Sequence, residues 1–210
     1  MADALVQTKL VLPYTRRALV LRPRLTQQVA RARDAALVLV SAPAGFGKTT
    51  LLAATLRELR EPESGGQSVA WVSLDPRDGD SARFWAYTLR ALDGASPGCA
   101  GSALGQLEAG SGPLEDVITS LINELSVRSE DLMLVLDDYH HADTPEVSAS
   151  VSFLLDHRPP QLQLVISTRA DPALPLPRLR ARGELFEIRA SDLRFTSRGG
   201  GQLPQHPPRP

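Results

Sequence analysis

The sequence predicts an α/β protein in which helices cover both faces of a mainly parallel, five-stranded sheet. Two observations predict this class. Five short runs are mostly apolar and strand-like, and the first of them is a continuous run rich in β-branched residues, as in strands that are buried on both faces. Segments with one apolar side, typical of helices, alternate with these runs along the chain. The strand-like runs are residues 36–41, 69–74, 132–136, 162–166 and 185–188.

The segments between these runs have helical patterns. Their apolar residues recur at the three- and four-residue spacing of one helix face, and Pro or Gly follows several of them. Phe84 and Trp85, for example, are available for the buried side of the second helix. We expect helices at 51–59, 81–92, 114–127, 147–155 and 176–182, a short one near 25–33, and a loop with a short helix at 95–112.

Composition excludes several classes of protein. The chain has 210 residues, of which 42% are hydrophobic and 22% are charged, and this excludes wholesale disorder. With 23 basic and 24 acidic residues it has no overall positive field to hold a nucleic-acid backbone. The longest apolar run, residues 35–40, is too short to span a bilayer, and the N-terminus has no pattern of a secretion signal. We expect a cytoplasmic protein without a membrane partner or direct sequence-specific DNA binding.

The length predicts one main domain with extensions. We place a lead-in with a short helix at residues 1–34, the core at 35–196 and a tail rich in Gly and Pro at 197–210. The tail has too few apolar residues to offset the entropy of ordering, so we expect it to be disordered. The one cysteine, Cys99, has no partner for an internal disulfide.

The segment with the clearest chemistry directly follows the first strand-like run. Residues 42–50 read APAGFGKTT and match the phosphate-binding loop, or Walker A motif, except that Ala42 stands where the pattern has Gly. Glycines allow the backbone to turn successive N–H groups toward phosphate oxygens, and the following helix adds its positive end. The predicted phosphate-binding residues are Ala44, Gly45, Phe46, Gly47, Lys48, Thr49 and Thr50.

Two side chains of this loop have specific roles in the prediction. Lys48 supplies a point charge for the β- and γ-phosphates, and the Thr49 hydroxyl can bind magnesium. Lys9 and Lys48 are the only lysines among the 23 basic residues. Because lysine is so rare in this chain, its presence at position 48 of the phosphate loop is less easily explained by chance. The alternative reading is a glycine-rich turn with an incidental lysine.

Polar residues also end two later strand-like runs. Asp137 and Asp138 follow the third run, at the carboxyl edge where ligands of parallel sheets bind. Asp137 could hold magnesium, and Asp138 could orient or deprotonate the attacking water. Arg169 follows the fourth run and could stabilise charge on the γ-phosphate. The alternatives are a solvated loop start for the acids and a surface salt bridge for Arg169.

Ten segments together resemble the nucleotide-binding domain of the MalT-like, large ATP-dependent LuxR-type transcriptional regulators, a branch of the STAND P-loop ATPases. They occur in this order: TKL at 8–10, LRPRL at 21–25, SAPAGFGKTTLL at 41–52, AWVSLD at 70–75, RFW at 83–85, VLDDYH at 135–140, FLLDH at 153–157, STR at 167–169, LRARG at 179–183 and DLRFT at 192–196.

The resemblance implies a three-layer P-loop NTPase fold in which the strand before Arg169 lies between the phosphate-loop strand and the Asp137 strand. It also implies that Mg²⁺ and ATP are bound, that ATP acts as a conformational switch with slow hydrolysis, and that Arg22 lies near the adenine. Relatives continue into a winged helix, a helical-repeat sensor and a helix-turn-helix. The similar text ends at Thr196, so we expect a truncated or frame-shifted reading.

The sequence therefore predicts an ATP-binding switch module of a transcriptional regulator, with ATP or ADP as ligand, weak or absent hydrolysis in isolation, and self-association through the ATPase core. Two alternatives remain at this stage. A small-molecule phosphotransferase would need an acceptor-binding lid, and no arginine-rich insertion of that kind is present. An interaction fragment would carry a vestigial nucleotide site.

Overall fold

Five parallel strands form one sheet in a computed structural model that describes residues 5–14, 25, 27–29, 32–60, 67–110 and 112–194. Their order across the sheet is β2-β3-β4-β1-β5. The strands are β1 (Leu37–Ser41), β2 (Ser68–Ser73), β3 (Leu132–Asp137), β4 (Leu162–Thr168) and β5 (Leu185–Arg189). This confirms the predicted sheet, including the position of β4 between the strand before the phosphate loop and the strand that ends in Asp137.

Helices connect the strands. They are α1 (Lys48–Arg60), α2 (Ser81–Ala95), α3 (Gly101–Ala109), α4 (Leu114–Ser126), α5 (Pro145–His157) and α6 (Leu176–Ala181). Short 3₁₀ helices lie at Gln7–Leu10, Ala32–Asp34, Pro76–Gly79 and Tyr139–His141, and Leu25 and residues 27–29 are helical. Within the described ranges, none of the helices has the length and apolarity that a membrane span requires.

Side chains alternate between two apolar cores, one on each face of the sheet, because successive residues of a strand point to opposite sides. In β1, Leu37 and Leu39 belong to the core that includes residues of α2, α4, α5 and α6. Val38 and Val40 belong to the core that includes residues of α1 together with Leu25 and Val29. Helices on both faces of the sheet give the predicted three-layer architecture. Phe84 and Trp85 are fully buried, as predicted.

The starts of two helices are explained by local hydrogen bonds. The Asp80 carboxylate accepts from the Arg83 N–H at 2.8 Å and caps α2. The Thr144 hydroxyl accepts from the Val147 N–H, and Pro145 occupies the first turn of α5. The helix boundaries differ from the predicted ones by a few residues. The first residue of α1 is Lys48, where the phosphate-loop motif places the following helix and three residues before the apolar periodicity at 51–59. The last residue of α2 is Ala95, three residues beyond the predicted end at 92.

An ion cluster, which we call the Lys9 cluster, fixes the N-terminal segment to the end of β2. Its members are Lys9, Asp75, Asp78 and Arg83. Asp78 is fully buried and pairs with both Lys9 and Arg83, with the Arg83 Nε at 3.1 Å. The Lys9 ammonium also lies 4.2 Å from the ring centroid of Tyr87, a cation–π contact. Lys9 therefore has a structural role that its sequence context did not predict.

Several expectations fall on residues outside the described part of the chain. They are the base contact of Arg22, the end of the core at Phe195 and Thr196, and the tail at 197–210.

Candidate nucleotide-binding site

The loop between β1 and α1 has the backbone that its glycines permit. Gly45 and Gly47 have φ values of +83° and +78°, which residues with a Cβ atom adopt only with strain. A Cβ atom built on Gly45 would meet nothing within 4 Å. Glycine is therefore required there by the left-handed backbone conformation and not by lack of room for a side chain. Ala42, by contrast, has no left-handed backbone, since Asp138 is the only non-glycine residue with positive φ among the described residues. The departure from the motif at Ala42 is therefore compatible with the loop.

Lys48 lies at the centre of this loop. It is buried, and its ammonium donates to the carbonyl oxygens of Ala42 at 2.8 Å and Pro43 at 3.2 Å. Burial lowers the pKa of Lys48, and the nearby Asp138 carboxylate opposes this shift. Because α1 begins at Lys48, its first amides have no partner within the helix. A phosphate on this loop would therefore meet both backbone N–H groups and an ammonium.

The two predicted magnesium ligands are in direct contact. The Thr49 hydroxyl donates to Asp137 at 2.9 Å (Oδ2) and 3.1 Å (Oδ1), although the residues are 88 positions apart. Asp137 is buried at the end of β3, and burial raises the pKa of its carboxyl above the usual range. Hydrogen bonds from Ser167 and Thr49 oppose that rise. A hydroxyl and a carboxylate beside a phosphate loop are the oxygen donors that Mg²⁺ uses together with substrate phosphates.

Asp138 has a strained backbone. Its φ and ψ are 56° and 42°, in the left-handed region, and its N–H donates to the Ser167 Oγ at 3.0 Å. Strain of this kind persists only where the surroundings hold it, and it concentrates at functional sites. The side chain is partly exposed and lies 3.8 Å from the Nδ1 of His140.

His140 lies between the acids and the cations of this edge. Both of its ring nitrogens are buried and have no hydrogen-bond partner among the described residues. Burial lowers the pKa of His140, and the charges of His141, Arg169 and Lys48 lower it further. The rings of His140 and His141 stack with centroids 4.1 Å apart. The imidazole of His140 is therefore held close to Asp138 in an environment that favours its neutral form.

Arg169 lies at the same edge, immediately after β4. Its guanidinium is exposed, and its charge lowers the pKa of Lys48. Two carboxylates hold the loop that carries it. Asp171 accepts from Arg189 and from the Ser41 hydroxyl at 3.4 Å, and Asp143 accepts from the Ala173 N–H at 3.2 Å. The loop is thus attached to neighbouring elements while the Arg169 guanidinium itself faces solvent.

The remaining predicted residues of the loop take less specific positions. Ala44 is exposed, Phe46 is half-buried and packs against the core on the α1 face, and Thr50 is half-buried in the first turn of α1. The structure therefore brings together Lys48, Thr49, Asp137, Asp138 and Arg169 at one edge. The sequence did not point to a role for Ser167, Asp171 or Asp143, and the only available signal was that Ser167 belongs to the polar end of a buried strand, two residues before Arg169.

A comparison with protein families decides the classification of the chain. The model of the AAA ATPase domain family matches residues 16–167. The chain belongs to this family. Over 200 residues, or 95% of its length, this AAA ATPase domain is 33% identical to the HTH-type transcriptional regulators MalT of Cronobacter sakazakii and of Klebsiella pneumoniae. It spans about a fifth, 21%, of the length of these relatives.

The fold of this AAA ATPase domain is also similar to that of a solved structure. The ORC1 protein of Aeropyrum pernix, solved in complex with DNA, matches 80% of this chain and 43% of its own chain, with a TM-score of 0.52 and 18% identity. This likeness supports the three-layer P-loop fold and is too distant in sequence to indicate more.

The buried acid of the site gives a test that needs no ligand. We expect Asp137→Asn to raise the free energy of unfolding of the nucleotide-free protein near pH 7. Because burial raises the folded-state pKa of this carboxyl, its charge destabilises the fold at any pH above that pKa. The destabilisation disappears below about pH 4, the usual aspartate value, where the carboxyl is protonated in both states. Urea unfolding at pH 7 and at lower pH measures the difference.

Asp171→Asn is the matched control with the opposite sign. The Arg189 guanidinium beside Asp171 lowers the pKa of that carboxyl, so its charge stabilises the fold at neutral pH and the substitution should destabilise it. If Asp137→Asn were less stable than the wild type at pH 7, the buried charge of Asp137 would not be a cost to the stability of the fold, which would contradict this prediction.

Proposed function

We propose that this AAA ATPase domain is the Mg-ATP-binding switch module of a LuxR/MalT-type transcriptional regulator of the STAND class. One observation carries the proposal. The Thr49 hydroxyl of the phosphate loop contacts Asp137 at 2.9 Å, beside the buried ammonium of Lys48. A phosphate site and a site for a divalent cation are thus adjacent, as a nucleoside triphosphate with its magnesium ion requires. The similarity to MalT regulators supports the regulatory context.

We assign the residues of the site to three roles. Ala44 to Thr50 bind the phosphates, with Lys48 on the β- and γ-phosphates, and Arg22 contacts the base. Thr49 and Asp137 hold Mg²⁺, which when bound neutralises phosphate charge. Asp138 orients or deprotonates the attacking water, and Arg169 stabilises charge on the γ-phosphate. The strained backbone of Asp138 and the solvent exposure of Arg169 at the same edge support the last two assignments.

We further propose that the isolated chain hydrolyses ATP slowly or not at all. The Asp138 side chain is 37% exposed, and Arg169 faces solvent. Electrostatic stabilisation of a transition state is weakened where water screens it. The site therefore suits binding better than turnover until another part of the protein covers it.

The remaining features of the proposal concern the chain as a whole. We place the ATPase core at residues 35–196, between a lead-in at 1–34 and a tail at 197–210, in a cytoplasmic protein that associates with itself through this core. The formal net charge of −1 offers no general attraction for nucleic acid, so we propose no direct sequence-specific DNA binding by this chain.

Isothermal titration with ATP in the presence and absence of Mg²⁺, followed by an assay for ADP release, tests the proposal. We expect ATP to bind, Mg²⁺ to strengthen binding, and ADP to appear slowly or not at all. ADP release that depends on an added acceptor would instead indicate a phosphotransferase. Absence of ATP binding would overturn the proposal in favour of an interaction fragment with a vestigial site.

A further inference from the structure

One serine hydroxyl connects the two acids of the site. Ser167 is the penultimate residue of β4 and is fully buried. Its hydroxyl donates to Asp137 Oδ1 and accepts from the N–H of Asp138 at 3.0 Å. A serine hydroxyl has one hydrogen to donate and two lone pairs that can accept. Ser167 uses its hydrogen for Asp137 and accepts the backbone N–H of Asp138.

The sheet places this serine where it can reach both acids. In the β3–β4 register Leu136 pairs with Ile166, so the next residues along the two strands, Asp137 and Ser167, are neighbours at the carboxyl edge. On the other side of β4, Thr168 pairs with Ser41, the last residue of β1 before the phosphate loop. Ser167 therefore lies between the strand that ends in the acids and the strand that leads into the loop.

The two hydrogen bonds of Ser167 have different effects. The bond to Asp137 fixes the carboxylate in the rotation in which Thr49 reaches it, and it offsets part of the unfavourable burial of that charge. The bond from Asp138 gives the backbone N–H of the left-handed turn a buried hydroxyl acceptor, and the same N–H also acts on the Asp137 carboxylate, where it helps to lower the pKa. Outer-shell partners of this kind orient metal ligands and commonly contribute 10- to 100-fold to metal affinity.

We propose that Ser167 is a positioning residue for the magnesium site. Its hydroxyl holds the Asp137 carboxylate toward Thr49 and keeps the Asp138 backbone in its left-handed conformation. The inference rests on the proposed function, because it assumes that Asp137 and Thr49 hold the cation. It adds a residue that touches neither nucleotide nor metal and acts through the two acids.

The experiment compares Ser167→Ala with a matched buried serine away from the site. Ser150 in α5 is buried, accepts from the Trp85 indole N–H at 2.9 Å and donates to the Val147 carbonyl at 2.8 Å. Ser150→Ala therefore removes a hydroxyl with the same number of partners. For each variant, Mg²⁺ is titrated at saturating ATP, and ATP binding is measured separately in EDTA.

We expect Ser167→Ala to weaken Mg²⁺ binding about 10-fold while ATP affinity in EDTA stays within about 2-fold, because Lys48 and the loop are unchanged. Ser150→Ala should leave both values near wild type. Ser167→Thr, which keeps the hydroxyl, should bind Mg²⁺ more tightly than Ser167→Ala. A second readout needs no ligand, since hydrogen exchange of the Asp138 amide should be faster in Ser167→Ala than in Ser150→Ala.

The outcomes separate the inference from the function on which it rests. If the wild type binds Mg-ATP but Ser167→Ala binds Mg²⁺ equally well, the inference is wrong and the function stands. Equal losses of Mg²⁺ and of metal-free ATP binding in Ser167→Ala would indicate general damage and would also overturn it. If the wild type binds no Mg-ATP, the proposed function fails, and the metal role of Ser167 fails with it whatever the exchange rates are.

Discussion

Replacing Lys48 by alanine is expected to weaken ATP binding about 10- to 100-fold and to leave adenosine binding within about 2-fold of wild type. The ammonium is buried at the centre of the loop, so its charge would act on the phosphates at short range. A hydrogen bond to a charged group contributes about 1.5–3 kcal/mol, and each 1.4 kcal/mol changes an affinity about tenfold. Adenosine carries no phosphate and should not sense the loss. Isothermal titration with both ligands measures the ratio of the two effects.

The other lysine of the chain provides the control. Lys9 is also buried, but its ammonium pairs with Asp75 and Asp78 rather than lying in the loop. Lys9→Met should lower stability and leave the ratio of ATP to adenosine affinity unchanged. If Lys48→Ala reduced the affinities for ATP and adenosine by the same factor, Lys48 would have no specific role on the phosphates.

Asp78→Ala should be the most destabilising change in the Lys9 cluster. Asp78 is fully buried, and removing it leaves the Lys9 and Arg83 cations without their shared carboxylate. Breaking a buried ion pair in this way typically costs about 3–5 kcal/mol, a large part of the 5–15 kcal/mol that stabilises a typical domain. The carboxylate also accepts from the Asp75 N–H at 2.7 Å, so its loss affects the turn after β2 as well. Urea unfolding followed by tryptophan fluorescence gives the change in free energy.

Two further variants show whether burial of the charges is the cause. Asp156→Ala breaks an ion pair with Arg178 whose side chains are partly exposed, and it should cost at most about 1 kcal/mol. Adding Lys9→Met to Asp78→Ala removes one of the two cations that Asp78 neutralises, so the double variant should be less destabilised than the sum of the single changes. A cost for Asp78→Ala no larger than that for Asp156→Ala would show that the cluster contributes little.

The sheet and the phosphate loop could be predicted from the sequence because their signals are local. The inner strands of this parallel sheet are buried on both faces, which gives runs such as residues 36–41 that are apolar at almost every position. Gly45, Gly47 and Lys48 have roles set by backbone conformation and helix position, which a nine-residue pattern records. The first turn of α1 is polar and carries no apolar periodicity, so the phosphate-loop motif, and not the periodicity at 51–59, indicates its start.

The contacts that complete the site could not be predicted in this way because they join distant parts of the chain. Thr49 and Asp137 were each assigned to the metal from motifs, but Ser167 joins Asp137 only through the pairing of β3 with β4. Ser167 belongs to the STR segment at 167–169, but that local pattern does not show that its hydroxyl reaches Asp137. The same holds for Lys9 and Asp78, which are 69 positions apart and meet because the N-terminal segment packs beside β2.

The most direct test of the nucleotide site is an NMR titration of the ¹⁵N-labelled chain with inorganic tripolyphosphate. This ligand has the triphosphate chain of ATP and no base, so it reports on phosphate binding without base contacts. We expect the largest changes in amide shifts at residues 44–50, with smaller ones at the ends of β3 and β4. Saturable changes centred elsewhere, or no changes at millimolar ligand, would contradict phosphate binding by this loop.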